Sequence, residues 1–175
     1  FEKYAPEAKN ELLSALNNKK VDAIVILLVI IMSLGMYSGK IGNSFVSKKN
    51  YPVEATEWIL QNLDVKNMKL FNEYNYGSYL LYKGVPVFID SRADLYAPEF
   101  NGKRAENGEY DGRDIFTDFI KTSSMERYYE DTFEKYDITH IILKKKSKLN
   151  TFISNDSGFL EMYNDDNFVV YERCK

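Results

Sequence analysis

Two short stretches concentrate the side chains that could bind a ligand. They are Phe71-Asn-Glu-Tyr-Asn-Tyr-Gly-Ser-Tyr79 and Phe88-Ile-Asp-Ser-Arg-Ala-Asp-Leu-Tyr96. Each polar set follows an apolar run of strand type, and open α/β sheets bind ligands beyond the carboxyl ends of their strands. Gly77 would let a helix N-terminus approach a ligand closely, with free N–H groups directed at an anion. Arg92 would grip a phosphate or carboxylate through two parallel bonds. Asp90 and Asp94 would hold sugar hydroxyls or a divalent ion. The candidate binding set is therefore Asn72, Tyr74, Tyr76, Gly77, Asp90, Arg92 and Asp94. A structural alternative stands beside it: an internal Asp90–Arg92 salt bridge, a turn at Gly77 and packed tyrosines. Spacing alone leaves both open.

The remaining candidates are weaker. Oxygen-bearing residues of Asn107–Asp118 mimic a calcium loop, but Asp114 stands where an apolar residue belongs and no helix enters the loop. His140 lies between apolar neighbours in a strand pattern and reads as a core histidine. Cys174 is penultimate and reads as exposed and inert; Asn155-Asp-Ser157 fits a glycosylation sequon. With one Cys and one His, a disulfide scaffold, a Cys/His zinc site and a Cys–His nucleophile pair within one chain are excluded. No catalytic constellation, metal site or cofactor motif is legible, and Asp90 with Asp94 is thin support for a hydrolase.

The chain of 175 residues has room for one domain and an appendage. Residues 1–50 carry 7 basic and 4 acidic side chains, whereas residues 51–175 carry 16 and 22. A net charge of −3 argues against a nucleic-acid partner. Between Asp22 and Lys40 runs Ala23-Ile-Val-Ile-Leu-Leu-Val-Ile-Ile-Met-Ser-Leu-Gly-Met-Tyr-Ser-Gly39, 17 residues without a charge. As a helix this run is about 25 Å long, at the short limit for a bilayer core. It lacks a polar stripe and is long for a strand, so residues 21–39 are expected to form a transmembrane helix in the lipid bilayer. Lysines flank it on both sides, which blunts the positive-inside rule. Ala5, Ala8, Leu12, Leu13 and Leu16 fall at helical spacing, so residues 1–20 read as an amphipathic connector helix.

Residues 40–50 read as a linker and 51–175 as a soluble domain. Pro52 opens a helix with Val53, Ala55, Trp58, Ile59 and Leu63 on one face. A strand over Met68–Tyr74, a turn at Asn75–Gly77, helical turns over Ser78–Tyr82 and a buried strand over Val85–Asp90 follow. Residues 101–112 read as a mobile loop. Asp114–Lys121 is a helix, and Ser123 or Ser124 caps a second. Ile138–Leu143 is a strand, Leu149–Ser154 a short helix, and Phe159–Tyr163 with Phe168–Tyr171 a hairpin. The implied fold is α/β: a mixed sheet with a parallel part and a C-terminal antiparallel hairpin, helices packed on it, preceded by one transmembrane helix.

Lys69–Tyr82 and Pro86–Tyr96, with Tyr136–Leu143 and Tyr163–Tyr171, resemble the C-terminal domain of a large group of bacterial polytopic membrane proteins. That group is commonly described either as uncharacterised membrane proteins or as glycosyltransferases of the GT-C, mannosyltransferase-like class. In it a last membrane span precedes a soluble domain with an FN-x-Y-x-x-G-x-Y-L segment and an FIDxRxDxY strand. Asn72–Gly77 also resembles, more distantly, the WWDYG region of the oligosaccharyltransferase catalytic subunit, but lacks both tryptophans and the Asp. The resemblance implies an extracytoplasmic domain on the cell membrane, attached to an N-terminal transmembrane region missing here. The complete protein would use a polyprenyl-phosphate sugar donor. The catalytic residues of that class lie in early membrane loops, so this part would be accessory and bind or position a glycan or other acceptor. A non-catalytic membrane-tethered module binding an envelope protein or glycan is the alternative.

Overall fold

The computed structural model describes residues 19–38 and 46–174, in two units divided after residue 45. The expected connector helix lies outside the described residues except for its last two positions, as does the expected linker over 40–45. The first unit holds α1 (Lys19–Ser38), 20 residues long. Its large apolar side chains from Ile24 to Tyr37 are 49% to 72% exposed. Among the described residues no helix is long and apolar enough to cross a membrane, and the side chains of α1 are described only over Val21–Tyr37. The helix is thus present where a transmembrane span is expected, and the span itself is not shown.

The second unit contains α2 (Val53–Asn62), β1 (Leu70–Asn72), α3 (Tyr74–Tyr82), a 3-10 turn (Ala93–Tyr96), α4 (Pro98–Asn101), α5 (Ile115–Ser124), α6 (Tyr129–Lys135), β2 (His140–Lys144), α7 (Lys148–Ile153), β3 (Phe159–Asn164) and β4 (Phe168–Arg173). The strands form one sheet in the order β1-β2-β4-β3. β1 and β2 are parallel; β4 is antiparallel to both β2 and β3. The mixed α/β sheet and its C-terminal hairpin are therefore as expected. Successive side chains on a strand face opposite ways, and both faces of the sheet are covered. Ile141, Leu143, Val169 and Tyr171 pack with Phe119, Phe133 and Leu149 from α5, α6 and α7. Ile142, Phe168 and Val170 pack with Ala55, Ile59, Tyr76 and Leu80 from α2 and α3.

The structure corrects several local expectations. Val85–Asp90 is not a strand. Pro86 has no N–H to donate, and a gap of about 240 Å³ lined by Met68, Leu70, Pro86, Val87 and Phe88 separates the segment from the start of β1. Asn75–Gly77 is the first turn of α3 rather than a turn before it. The expected loop over 101–112 begins inside α4, and a bridge pairs Arg104 with Tyr110. Ser123 and Ser124 cap nothing. They end α5, which stops at Met125 in the left-handed conformation, φ 63°, with the Glu126 N–H on the Lys121 carbonyl. The cap of α6 is Tyr128. His140 is half-buried, with Nδ1 2.9 Å from the Thr139 hydroxyl.

One buried carboxylate ties α5 to α6. Asp118 accepts from the Arg127 guanidinium, from Lys135 Nζ at 2.6 Å and from the Tyr136 hydroxyl at 2.8 Å. Burial pushes its carboxyl up, but the hydrogen bonds from Lys135, Tyr136 and Arg127 outweigh that and hold it below the usual range. A carboxyl depressed in the folded state stabilises above its unfolded pKa, and that stability is lost as pH falls through the folded value. Asp118→Ala leaves two cations unpaired. It should cost about 3 kcal/mol at neutral pH, with the difference from the natural protein shrinking below about pH 4. Urea unfolding followed by Trp58 fluorescence at pH 7 and pH 3.5 measures both. A pH-independent difference would contradict this reading.

Candidate functional site

The two polar stretches converge at the carboxyl end of β1. Asn72 is wholly buried, and its amide acts as a substitute strand. Its Oδ1 accepts the Phe88 N–H at 2.8 Å and the Ile89 N–H at 3.4 Å. Its Nδ2 donates to the Ile89 carbonyl at 2.8 Å and the Glu73 carbonyl at 3.0 Å. Gly77 then takes the close approach. A Cβ there would lie 2.0 Å from the Ile89 carbonyl oxygen and 2.9 Å from the Asp90 Cα. The space next to Gly77 is filled by this backbone.

Asp90 is wholly buried and Arg92 folds back on it. The Arg92 backbone N–H reaches one carboxylate oxygen at 2.9 Å, and Nε reaches both at 3.0 Å. The hydrogen bonds of the Arg92 guanidinium hold the Asp90 carboxyl below its usual range, against the burial that pushes it up. The Arg92 side chain stays 57% exposed. The Tyr74 hydroxyl donates to the Ser91 carbonyl at 3.0 Å, and the Ser78 and Ser91 hydroxyls are 2.7 Å apart. Tyr76 faces away: its buried ring meets Phe168 edge-on, and its hydroxyl donates to the Ile142 carbonyl at 2.8 Å. Asp94 lies exposed in the 3-10 turn, apart from the rest.

No family model matches this sequence, and no curated protein matches it. Among solved structures, the chain is similar to the C-terminal globular domain of an oligosaccharyltransferase from Archaeoglobus fulgidus, with a TM-score of 0.47 and 13% identity. The match covers 69% of this chain and 95% of that one.

Beside the converged stretches lies an open cleft of about 360 Å³, lined by Glu73, Tyr74, Asn75, Phe116, Phe119, Ile120 and Ser123. Of the sequence-predicted set only Tyr74 lines it. Its ring meets Phe116 edge-on at 6.0 Å. Two polar groups distinguish the cleft. The Ser123 hydroxyl oxygen is buried with no hydrogen-bond partner, and such a group costs free energy unless something reaches it. Glu73 has no cation within 4 Å, accepting only a 3.4 Å bond from the Lys144 N–H and one from Ser147. Burial pushes its carboxyl above the usual range, only partly offset by those contacts. Aromatic faces, an under-solvated carboxyl and a free hydroxyl suit a small polar molecule with an apolar face. Phe116 and Phe119 lie in the helix expected over Asp114–Lys121, whereas Ser123 and Glu73 carry no spacing signal.

The oxygens of 107–118 do not converge. Asn107 bonds Glu109, Asp111 takes the Lys103 N–H, Asp114 caps α5 through the Thr117 N–H, and Asp118 holds its cations. Among the described residues no group of three or more His, Cys, Asp and Glu is placed to hold a metal ion.

Gly77→Ala must push the Ile89–Asp90 backbone off α3, so it should destabilise by about 3 kcal/mol, read from the urea midpoint. An unshifted midpoint would sink the close-approach argument. Glu73→Gln tests the cleft electrostatics. A raised folded-state pKa means the protonated form stabilises, and this is lost as pH rises through the folded value. The Gln variant should gain melting temperature relative to the natural protein as pH goes from 4 to 7.5; a constant difference would show that burial does not act on this carboxyl.

Proposed function

We propose that this chain is the membrane-anchored, extracytoplasmic C-terminal part of a polytopic glycosyltransferase that uses polyprenyl-linked sugars. Its role there is accessory: it binds or positions the acceptor and does not catalyse transfer. The observation that carries the reading is that the two segments of the motif resemblance, 69–82 and 86–96, form one unit. Asn72 and Gly77 close it, Asp90–Arg92 completes it, and the aromatic cleft opens at its edge. A sugar-bearing acceptor would stack on Tyr74 and Phe116 and meet Glu73 and Asn75 with its hydroxyls. The anchor would be α1, whose uncharged run and exposed apolar side chains suit hydrocarbon better than water. Its uncharged run is about 25 Å long at 1.5 Å per residue, so a span would need the flanking lysines to snorkel and the bilayer to thin locally.

Sidedness tests this directly. Cys174 is the only cysteine and is exposed. In the full polypeptide, a membrane-impermeant maleimide added to intact spheroplasts should label Cys174 to the same extent as after lysis. Labelling only after lysis would place the domain in the cytosol and remove the glycosyltransferase reading.

A further inference from the structure

We propose that the turn after β2 and the start of the second unit together form a docking surface for the anionic lipid headgroups of a bilayer. Lys49, Lys144, Lys145 and Lys146 line one shallow depression of about 150 Å³ with Asn50, Asp166 and Asn167. Lys49 lies about a hundred residues from the other three in sequence, so the fold assembles this cluster. The unit that carries it, Val46–Lys175, is acidic, with 22 acidic against 18 basic side chains. Yet none of the four ammonium groups has an acid within 4 Å among the described residues, unlike Lys48, Lys69 and Lys135. Asp166 is the acid on the rim, and Glu73 acts on Lys144 from behind.

The backbone beneath the lysines is pinned. The Lys145 N–H donates to the Asn167 carbonyl at 2.9 Å, Asn150 Nδ2 to the Lys145 carbonyl at 3.0 Å, and the Ser147 N–H to the Lys144 carbonyl at 2.9 Å. Lys49 sits in a turn closed by the Asn50 and Tyr51 N–H groups on the Ser47 carbonyl, both at 2.9 Å. Like charges held this close repel one another, and an anionic layer relieves that repulsion. The occupant follows from charge and from chain order. Lys48 and Lys49 come within ten residues of Gly39, where the uncharged apolar run of α1 ends. A polybasic surface that follows an apolar helix this closely in sequence fits a phosphate-rich lipid layer. A nucleic acid fits poorly, because the rest of the unit would repel it.

The inference rests on α1 being an anchor only in the choice of occupant, and the test separates the two. The full chain is mixed with vesicles of phosphatidylcholine alone, or with about a third phosphatidylglycerol. Flotation reports anchoring, and mass-spectrometric footprinting with an amine acylating reagent reports each lysine. Acylation of Lys49, Lys144, Lys145 and Lys146 should slow about three-fold or more in the anionic vesicles. The protection should vanish in about 0.5 M salt, while Lys83 and Lys103 stay unchanged. Equal rates in both vesicles would overturn the proposal. So would the same protection from inorganic phosphate, or from a single-stranded oligonucleotide, at matched charge without vesicles. Failure to float with neutral vesicles, with protection intact in anionic ones, would remove the anchor and keep the lysine surface.

Discussion

The second unit depends on one amide. β1 is three residues long and lies at the edge of the sheet, where its outer backbone groups need a partner or a cover. A fifth strand would be the usual solution. Here the Asn72 side chain ties the 88–89 segment beside that edge, offering an acceptor to Phe88 and Ile89 and a donor to Ile89. That arrangement sets the next conditions in turn. The Ile89 carbonyl is held against α3, so position 77 has no room for a Cβ. The chain then delivers Asp90 into a buried site, where a bare carboxylate would be costly, and Arg92 two residues on supplies the charge and donors. Asn72, Gly77, Asp90 and Arg92 are thus successive requirements of one close approach.

Three acids of the unit differ in whether a cation meets them. Asp90 has Arg92, Asp118 has Arg127 and Lys135, and both carboxyls are held low. Glu73, at the same end of the sheet, has no cation within 4 Å and is pushed up by burial. The pairing of the first two commits them to holding elements together. The lack of a close cation leaves Glu73 as the carboxyl whose proton and hydrogen bonds are available to an incoming group. This points to the cleft, rather than the converged motif residues, as the chemically available part of the site.

Much of the sheet was legible because its strands announce themselves. Ile138–Leu143 and Phe168–Tyr171 are dense in Ile, Val and aromatic residues, and the polar residues Asp165–Asn167 close the hairpin between β3 and β4. Val85–Asp90 has the same composition and is not a strand, because its partner is a side chain, and residue type carries no record of what pairs with it. The start of α3 was hidden by Asn75-Tyr-Gly77, which reads as a turn; Gly77 is there for clearance, not for curvature. The motif residues did come together, apart from Asp94 and from Tyr76, which turns into the core. The cleft was missed because it forms between Glu73 and a helix more than forty residues later, and no local pattern encodes that contact. For α1, apolarity told of a helix, and the helix is present, but among the described residues it is not long and apolar enough to cross a membrane.

The cleft and the lysine turn are joined through β2. The Lys144 N–H donates to the Glu73 carboxylate, while the Lys144 ammonium helps hold the Glu73 pKa down against burial. An anion seated among Lys144, Lys145 and Lys146 would offset that ammonium, and Glu73 would hold its proton to higher pH. A protonated Glu73 presents a donor to the cleft where an ionised one presents only acceptors. By linkage, a cleft ligand that prefers the donor form would in turn favour the anion-bound turn. The Coulomb attraction between the Lys144 ammonium and the Glu73 carboxylate would thus be the link between the two surfaces, and its sign follows from the charges.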